Sequence, residues 1–329
     1  MTASAPALVV EGLTVEIRSG HRRMQPVRNV SLTVEAGETL GIVGESGCGK
    51  STLLLAVLGL LPTGASIVSG RILIAGRDVA QLRGTEQRAL RGKVVGMVFQ
   101  DASSALNPVM RIGRQLVDGA QRHLHLRRAA ARELARELLV RVGVPDPERR
   151  LSAYPHELSG GLRQRVMIAM ALATKPSLLL CDEPTTALDV TIQNQVLNVI
   201  SDAQRDVGLA LVYVTHNIAV VRQLCDRVIV MYAGQLLESG DTADVLDRSR
   251  HPYTAALVSA APDIDHPDAP IHTIGGSPPD LWFAEPGCPF APRCVHHIAD
   301  CDHGEFPLLP GGSACRRREH EAIDVMVHA

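Results

Sequence analysis

Aromatic side chains are scarce in this chain, with four Phe, four Tyr and one Trp among 329 residues. Single-strand nucleic-acid binders stack successive bases on such rings, so that mode of binding has little material here. An excess of one charge is lacking too. Thirty-three Lys and Arg stand against 35 Asp and Glu, a formal net charge of -2. No electrostatic footprint for nucleic acid or anionic lipid follows. Long apolar runs are missing as well: stretches such as 166–173 fall far short of the roughly 18 residues a spanning helix needs, so the chain is not expected to cross a membrane by itself. No basic segment precedes the short apolar patch within residues 1–10, which argues against a secretory signal and for a cytoplasmic address. With seven cysteines, an odd number, a disulfide framework is unexpected at that address. What is present is ordinary globular material, 46% hydrophobic and 21% charged, so collagen-like and disordered readings fit poorly.

Organisation follows from periodicity. Leu13-Thr14-Val15-Glu16-Ile17 and Val30-Ser31-Leu32-Thr33-Val34 alternate apolar and polar residues and predict half-buried strands, with a turn over 35–38. Thr39-Leu40-Gly41-Ile42-Val43 predicts a short apolar strand that stops at a glycine-rich loop. A helix is predicted over 51–61. From 127 to 142 the chain is rich in Ala, Arg, Glu and Leu, and predicts a helical insert with Leu134, Leu138 and Val142 on one face and Glu137 placed to pair with Arg141. Its basic residues read as a solvated face. Apolar strands are predicted at 177–181, 209–214 and 228–231 with helical patterns between them, the alternation of an α/β core with a mainly parallel sheet. After His251, Pro, Gly, His and Cys become frequent and periodicity fades, which places a domain boundary near Arg250. There is no internal repeat of fixed period.

Gly44-Glu45-Ser46-Gly47-Cys48-Gly49-Lys50-Ser51 fits G-x-x-x-x-G-K-[ST] between a predicted strand and a predicted helix, the context that makes this pattern a P-loop. Glycines let backbone N–H groups converge on phosphate oxygens, the helix start adds a favourable dipole, Lys50 reaches the outer phosphates and Ser51 supplies an oxygen to Mg²⁺. Thr52 completes the phosphate-binding set, and Cys48 reads as filler. Ser177-Leu178-Leu179-Leu180-Cys181-Asp182-Glu183 is an apolar strand ending in two carboxylates. Asp182 is placed to hold Mg²⁺ and Glu183 to orient a water for attack on the γ-phosphate.

With these two motifs stand three more: Leu158-Ser159-Gly160-Gly161-Leu162-Arg163-Gln164-Arg165, Val98-Phe99-Gln100, and Val214-Thr215-His216. Together with Leu180-Cys181-Asp182-Glu183-Pro184-Thr185-Thr186-Ala187-Leu188-Asp189 they resemble the signature motif, Q-loop, H-loop, Walker B strand and D-loop of ATP-binding cassette (ABC) proteins, in that family's order, over roughly residues 8 to 250. The resemblance implies a P-loop ABC ATPase: a RecA-like α/β core with an antiparallel β subdomain and a helical subdomain at about 101–160, within a nucleotide-binding domain over 1–250. It implies ATP and Mg²⁺ as ligands, with the metal held by Ser51, Gln100 and Asp182. It also implies a head-to-tail pair in which Leu158, Ser159, Gly160 and Gly161 cap ATP bound to a second ABC ATPase subunit. Gln100 would sense Mg²⁺ and the attacking water, and His216 would position the γ-phosphate. Three positions depart from the pattern. Ile17 stands where the family usually stacks adenine on an aromatic ring, so base stacking should be weaker. Asn217 follows His216 where Asp is common, without touching the assigned γ-phosphate contact. Leu162 replaces the common Gln after the two glycines.

Finer similarity points to the ATP-binding subunits of oligopeptide and dipeptide importers, a branch that also serves nickel and other solutes. Gln100-Asp101, Ala105-Leu106-Asn107-Pro108, His251-Pro252-Tyr253-Thr254 and Gly287-Cys288-Pro289-Phe290-Ala291-Pro292-Arg293-Cys294 carry it. Residues 251–329 are read as that branch's C-terminal extension. From spacing alone, Cys288, Cys294, Cys301 and Cys315 suit one four-thiolate centre, and tetrahedral zinc and a [4Fe–4S] cluster are both open. Resemblance to the peptide-importer tail favours the cluster, in a structural role for a segment poor in apolar residues. His296, His297 and His303 read as surface residues.

The leading functional reading is an ATPase subunit powering peptide import through two transmembrane permease subunits, fed by an extracellular solute-binding protein. It would sit peripherally on the cytoplasmic face of the membrane and dock through 100–158. A nickel or other solute importer of the same branch is the near alternative. From a different class, a soluble ABC ATPase of translation or DNA maintenance would carry two cassettes in one chain or a long coiled-coil insert, and this sequence has neither. A catalytically silent scaffold is disfavoured because Lys50, Ser51, Asp182, Glu183 and His216 are all present. No nucleic-acid partner is expected.

Overall fold

The computed structural model describes residues 5–185, 188–261, 273–282, 286–308 and 312–315. In chain order its strands are β1 (Leu8–Ser19), β2 (Arg22–Val34), β3 (Thr39–Val43), β4 (Ala65–Ile74), β5 (Arg77–Asp78), β6 (Val95–Val98), β7 (Leu178–Asp182), β8 (Ala210–Thr215), β9 (Arg227–Tyr232) and β10 (Gln235–Asp241). The helices are α1 (Lys50–Val57), α2 (Gly84–Ala89), α3 (Ala102–Ala105), α4 (Ile112–Leu124), α5 (Arg128–Arg141), α6 (Pro147–Ser152), α7 (Gly160–Leu172), α8 (Val190–Val207), α9 (Ile218–Leu224), α10 (Thr242–Asp247) and α11 (Pro252–Ser259). The chain divides into two compact units.

The first unit comprises Met1–Leu8, Val34–Glu38 and Ile74–Val212. Its strands follow the order β8-β7-β6, and β6 runs parallel to β7 with Val95 opposite Leu178 and Val98 opposite Cys181. Every residue of β7 is buried, which is why it reads as an unbroken apolar run without alternation. Helices α4, α5 and α6 pack on one another, and α4 and α5 also pack on α7. On α5 the buried side chains are Ala131, Ala135, Leu138 and Leu139, whereas Leu134 of the predicted stripe is half-buried. Alanine at those positions lets a neighbouring helix approach closely, so the packed face is rotated toward the small residues. On its outer side Arg136 Nε donates to Glu133 at 3.0 Å.

The second unit comprises Val9–Thr33, Thr39–Leu73 and Tyr213–Ala329. It contains the neighbours β2-β1-β4 and β10-β9-β3. Strand β3 is parallel to β9, with Leu40 opposite Arg227 and Val43 opposite Val230; β10 is antiparallel to β9, with a register irregularity between Leu236 and Glu238. Strands β1 and β2 extend well beyond the predicted 13–17 and 30–34. Strand β4 carries no apolar alternation because only Ile72 and Ile74 of its ten residues are buried. Helix α1 ends at Val57, four residues before the predicted end, with Leu58 as its C-cap. Among the described tail residues, Ala291–Arg293 and Ala299–Asp302 form short 3-10 turns. Ser239 N–H donates to Gly312 O at 3.1 Å and Ala314 N–H to Leu237 O at 2.8 Å, fastening the tail to β10.

Leu139 is fully buried while its neighbour Val140 is half exposed. Leu139→Ala should cost about 2–5 kcal/mol of stability through lost packing and the cavity left behind. Val140→Ala should shift it by no more than about 0.5 kcal/mol. Denaturant midpoints of the two variants check the pair.

Candidate functional site

Strand β3 delivers the chain into the predicted phosphate loop. Gly44 and Gly49 have φ of 155° and 109°, values that side-chain-bearing residues avoid. A Cβ at Gly44 would stand 2.0 Å from Met231 O, and one at Gly49 1.8 Å from Pro26 O. The backbone therefore packs directly on neighbouring carbonyls, leaving the far side of the loop open around exposed Ser46 and Gly47. No side chain caps the start of α1, so its first amides are free to meet an anion. Lys50 is buried, and its Nζ donates to Gly44 O at 2.7 Å and Glu45 O at 2.9 Å. An ammonium held on carbonyls inside the loop that an anion would occupy fits phosphate binding. Ser51 is exposed and Thr52 half-buried at the same helix start. Cys48 is buried, its Sγ lies 3.6 Å from Lys50 Nζ, and burial, opposed by the Lys50 charge, holds the thiol up.

In the same unit, His216 is exposed just past β8, and Ile17 is half-buried on β1. Asn217 explains its own departure from the family pattern. Its Oδ1 accepts from Ala219 N–H at 3.0 Å and Val220 N–H at 3.4 Å, capping α9, a task for which Asn and Asp are equally suited.

In the first unit, β7 ends at Asp182, which is buried, and the next residue, Glu183, holds φ of 46°. A left-handed non-glycine residue costs roughly 1–2 kcal/mol, and here it turns the carboxylate off the strand axis. Gln100, exposed beyond β6, directs Nε2 at Glu183 Oε2 across 3.4 Å. The structure brings Gln100 and Glu183 together. Gln164 carries a role that the sequence reading missed: almost fully buried, it donates from Nε2 to Pro184 O at 2.8 Å and Phe99 O at 3.5 Å. It ties the exits of β7 and β6 to the signature helix. Its place between Arg163 and Arg165, ahead of the apolar run of α7, gave the sequence no signal of burial.

Leu158 is buried while Ser159 and Gly160 are exposed and Gly161 half-buried. Ser159 is the N-cap of α7, its Oγ accepting from Leu162 N–H at 3.4 Å. Beyond Gly160 there is open space where a Cβ would sit. An exposed helix start with glycines at 160 and 161 lets an anion approach its backbone closely.

The four-thiolate centre expected in the tail is not assembled. Among the described residues no group of three or more His, Cys, Asp or Glu is arranged to hold a metal ion. The thiols share one neighbourhood nonetheless. Burial, with contributions from Cys301, Cys294 and Cys315, pushes the Cys288 thiol up to about 11. Neutral thiols gain nothing by converging on a point, and Cys288 Sγ instead faces His251 Nε2 at 4.0 Å. Four soft sulfur donors remain a suitable ligand set for a thiophilic metal. Of the histidines read as surface residues, His297 is exposed and pairs with Asp302 at 2.7 Å.

A buried strand, a glycine turn stripped of side chains, a lysine held inside the loop and an uncapped helix start define a P-loop nucleotide-binding protein. Comparison with known proteins agrees. A family model described as ABC transporter matches residues 27–186, and one described as Oligopeptide/dipeptide transporter, C-terminal region, matches 237–301. The dipeptide transport ATP-binding protein DppD of Bacillus subtilis is 45% identical, over 90% of this chain and 88% of its own. The oligopeptide transport ATP-binding protein OppD of Salmonella typhimurium is 43% identical, over 94% and 92%. Among solved structures, the ATP-binding cassette MJ0796, a dimer in a post-hydrolysis state with ADP and Pi, covers 71% of this chain at 27% identity and a TM-score of 0.66, and 98% of its own chain is matched. The cbiO1 protein of Clostridium perfringens covers 73% at 29% identity and a TM-score of 0.61, with 90% of its own chain matched. The chain belongs to the ATP-binding cassette family of ABC transporters and is an ATPase of that family.

Replacing Asn217 by Asp should leave stability and ATP turnover near the parent values. Asn217→Ala removes the cap of α9 and should cost about 1 kcal/mol. Thermal unfolding with an ATPase assay on both variants separates capping from chemistry.

Proposed function

We propose that this chain is the ATP-hydrolysing subunit of a peptide importer. The observation that carries the reading is the open P-loop with Lys50 poised on Gly44 and Glu45 carbonyls, in a chain whose full-length relatives are named as dipeptide and oligopeptide transport ATP-binding proteins. In this proposal the amides of 44–52 and Lys50 bind the ATP phosphates, and Ile17 lies on the adenine side. Ser51, Gln100 and Asp182 would hold Mg²⁺, which would neutralise charge developing on the phosphate oxygens. Glu183, steadied by Gln100, accepts a proton from the attacking water, and His216 positions the γ-phosphate. The exposed start of α7, with Leu158 behind Ser159, Gly160 and Gly161, caps the nucleotide of a second ATPase subunit.

The proposed assembly adds two transmembrane permeases and an extracellular solute-binding protein, with this subunit peripheral on the cytoplasmic face. Among the described residues no helix is long and apolar enough to cross a membrane, so uptake requires separate spanning subunits. Permease docking is assigned to 100–158. There a cavity of about 640 Å³ opens between α4 and α6, lined by Met110, Arg111, Arg114 and Tyr154, with Val109 80% exposed at its rim.

Glu183→Gln should lower ATP turnover by about 10²–10⁴-fold while leaving ATP affinity near that of the parent. Rapid turnover in that variant removes Glu183 from the base role, and stimulation by nickel but not by peptides in the reconstituted assembly would favour the sister branch.

The tail's metal content is proposed on resemblance and on the shared neighbourhood of its thiols: Cys288, Cys294, Cys301 and Cys315 as ligands of a [4Fe–4S] cluster, with zinc the alternative. Anaerobically purified protein should carry iron and acid-labile sulfide in equal amounts. Zinc in their place, or no metal, overturns the cluster.

A further inference from the structure

The P-loop is held from behind by residues more than two hundred positions away in the chain. Glu45, the first residue after Gly44, receives a two-pronged ion pair from Arg293, with Nη1 at 2.7 Å from Oε2 and Nη2 at 3.0 Å from Oε1. The remaining N–H groups of that guanidinium are also engaged: Nη1 reaches Tyr232 Oη at 3.1 Å, Nε reaches Gly275 O at 2.7 Å and Nη2 reaches Ile274 O at 3.3 Å. All five donors of Arg293 are satisfied, and its side chain is only 5% exposed. The Glu45 main chain is pinned as well, its N–H donating to Tyr253 Oη at 2.9 Å. Beneath this lie Tyr232, Tyr253 and Phe290 in mutual contact, with ring centroids 4.5 to 5.5 Å apart, and the Arg293 guanidinium 5.8 Å above both Tyr232 and Phe290.

The peptide so fixed is one on which Lys50 rests, since Glu45 N–H shares its peptide unit with Gly44 O, to which Lys50 Nζ donates at 2.7 Å. We propose that Arg293 is a positioning residue for ATP: acting through the Glu45 carboxylate, it holds the P-loop in its phosphate-receiving shape and couples the C-terminal tail to the nucleotide site. A bidentate guanidinium–carboxylate pair fixes distance and plane together, which a lysine cannot reproduce. Tyr253 supplies the second fastening, at the backbone. Without the pair, Glu45 keeps a half-buried charge with no counter-ion, and the loop relaxes toward water to solvate it.

The proposal rests on reading this loop as the ATP phosphate cradle, so its test has one arm that needs no nucleotide. In the full chain, Arg293→Ala, Arg293→Lys, Glu45→Gln and the Arg293→Ala/Glu45→Gln pair are compared with the parent. Without ATP, amide hydrogen exchange over 44–50 should quicken about tenfold or more in Arg293→Ala, with the β7 amides unchanged. With ATP, KM and the dissociation constant of a fluorescent ATP analogue should rise about tenfold, within the range for two coupled sites, while kcat stays within about twofold. Arg293→Lys should fall between parent and Arg293→Ala. The double variant should be no worse than the more damaging single one, because both remove the same interaction.

Unchanged loop exchange in a folded Arg293→Ala variant overturns the proposal, as does an additive double variant or a fall in kcat at constant KM, the mark of a merely unstable protein. A parent that fails to bind ATP, with a loop that still loosens in the variant, overturns the coupling to nucleotide and the ATP reading together while leaving the mechanical pair standing.

Discussion

One steric constraint governs the candidate site: the backbone leaving β3 must pass so close to Met231 O and Pro26 O that neither Gly44 nor Gly49 can carry a Cβ. That path sets the loop's direction, and the loop's direction puts the Lys50 ammonium on the carbonyls of 44 and 45. The parallel pairing of β3 with β9 holds the approach, since Met231 lies on β9. Conserving the glycine turn without the sheet would leave the loop with nothing to lean on. The sheet without the glycines would fill the space a phosphate needs.

The aromatic scarcity that excludes a stacking platform has a counterpart in three dimensions. Tyr232, Tyr253 and Phe290, a third of the chain's aromatic rings, are gathered in one cluster below the P-loop. Aromatic pairs of this geometry are worth about 0.5–1.5 kcal/mol beyond the area they bury. A tail with little apolar material of its own is thereby attached through its few large side chains, and Arg293 converts that attachment into a polar hold on Glu45.

Much of the site was legible in the sequence, because its chemistry depends on local residue order. Strand β3, the loop and the start of α1 are contiguous, and β7 announces itself as an apolar run closed by Asp182 and Glu183. Strand β4 was not legible: eight of its ten residues escape full burial and leave no alternation to read. On α5 the predicted stripe holds at Leu138 and Val142, which are buried, but close helix contact puts Ala131 and Ala135 rather than Leu134 on the packed face. Long-range side-chain pairings were invisible as well. Nothing in the spacing of Glu45 and Arg293, or of Gln164 and Pro184, marks them as partners, because a hydrogen bond is set by the folded path and leaves no period. The four tail cysteines show the converse: a suggestive spacing that the folded chain alone does not turn into a metal site.

The left-handed turn at Glu183 carries a different consequence. Glycine would adopt φ of 46° without strain, so drift at this position has a downhill direction in folding energy that leads away from the carboxylate. With Glu183 as the proposed base, stability and turnover select against each other at a single codon. Copies of this chain released from selection for ATP hydrolysis should lose Glu183 to glycine or asparagine early, gaining a more stable fold as they fall silent.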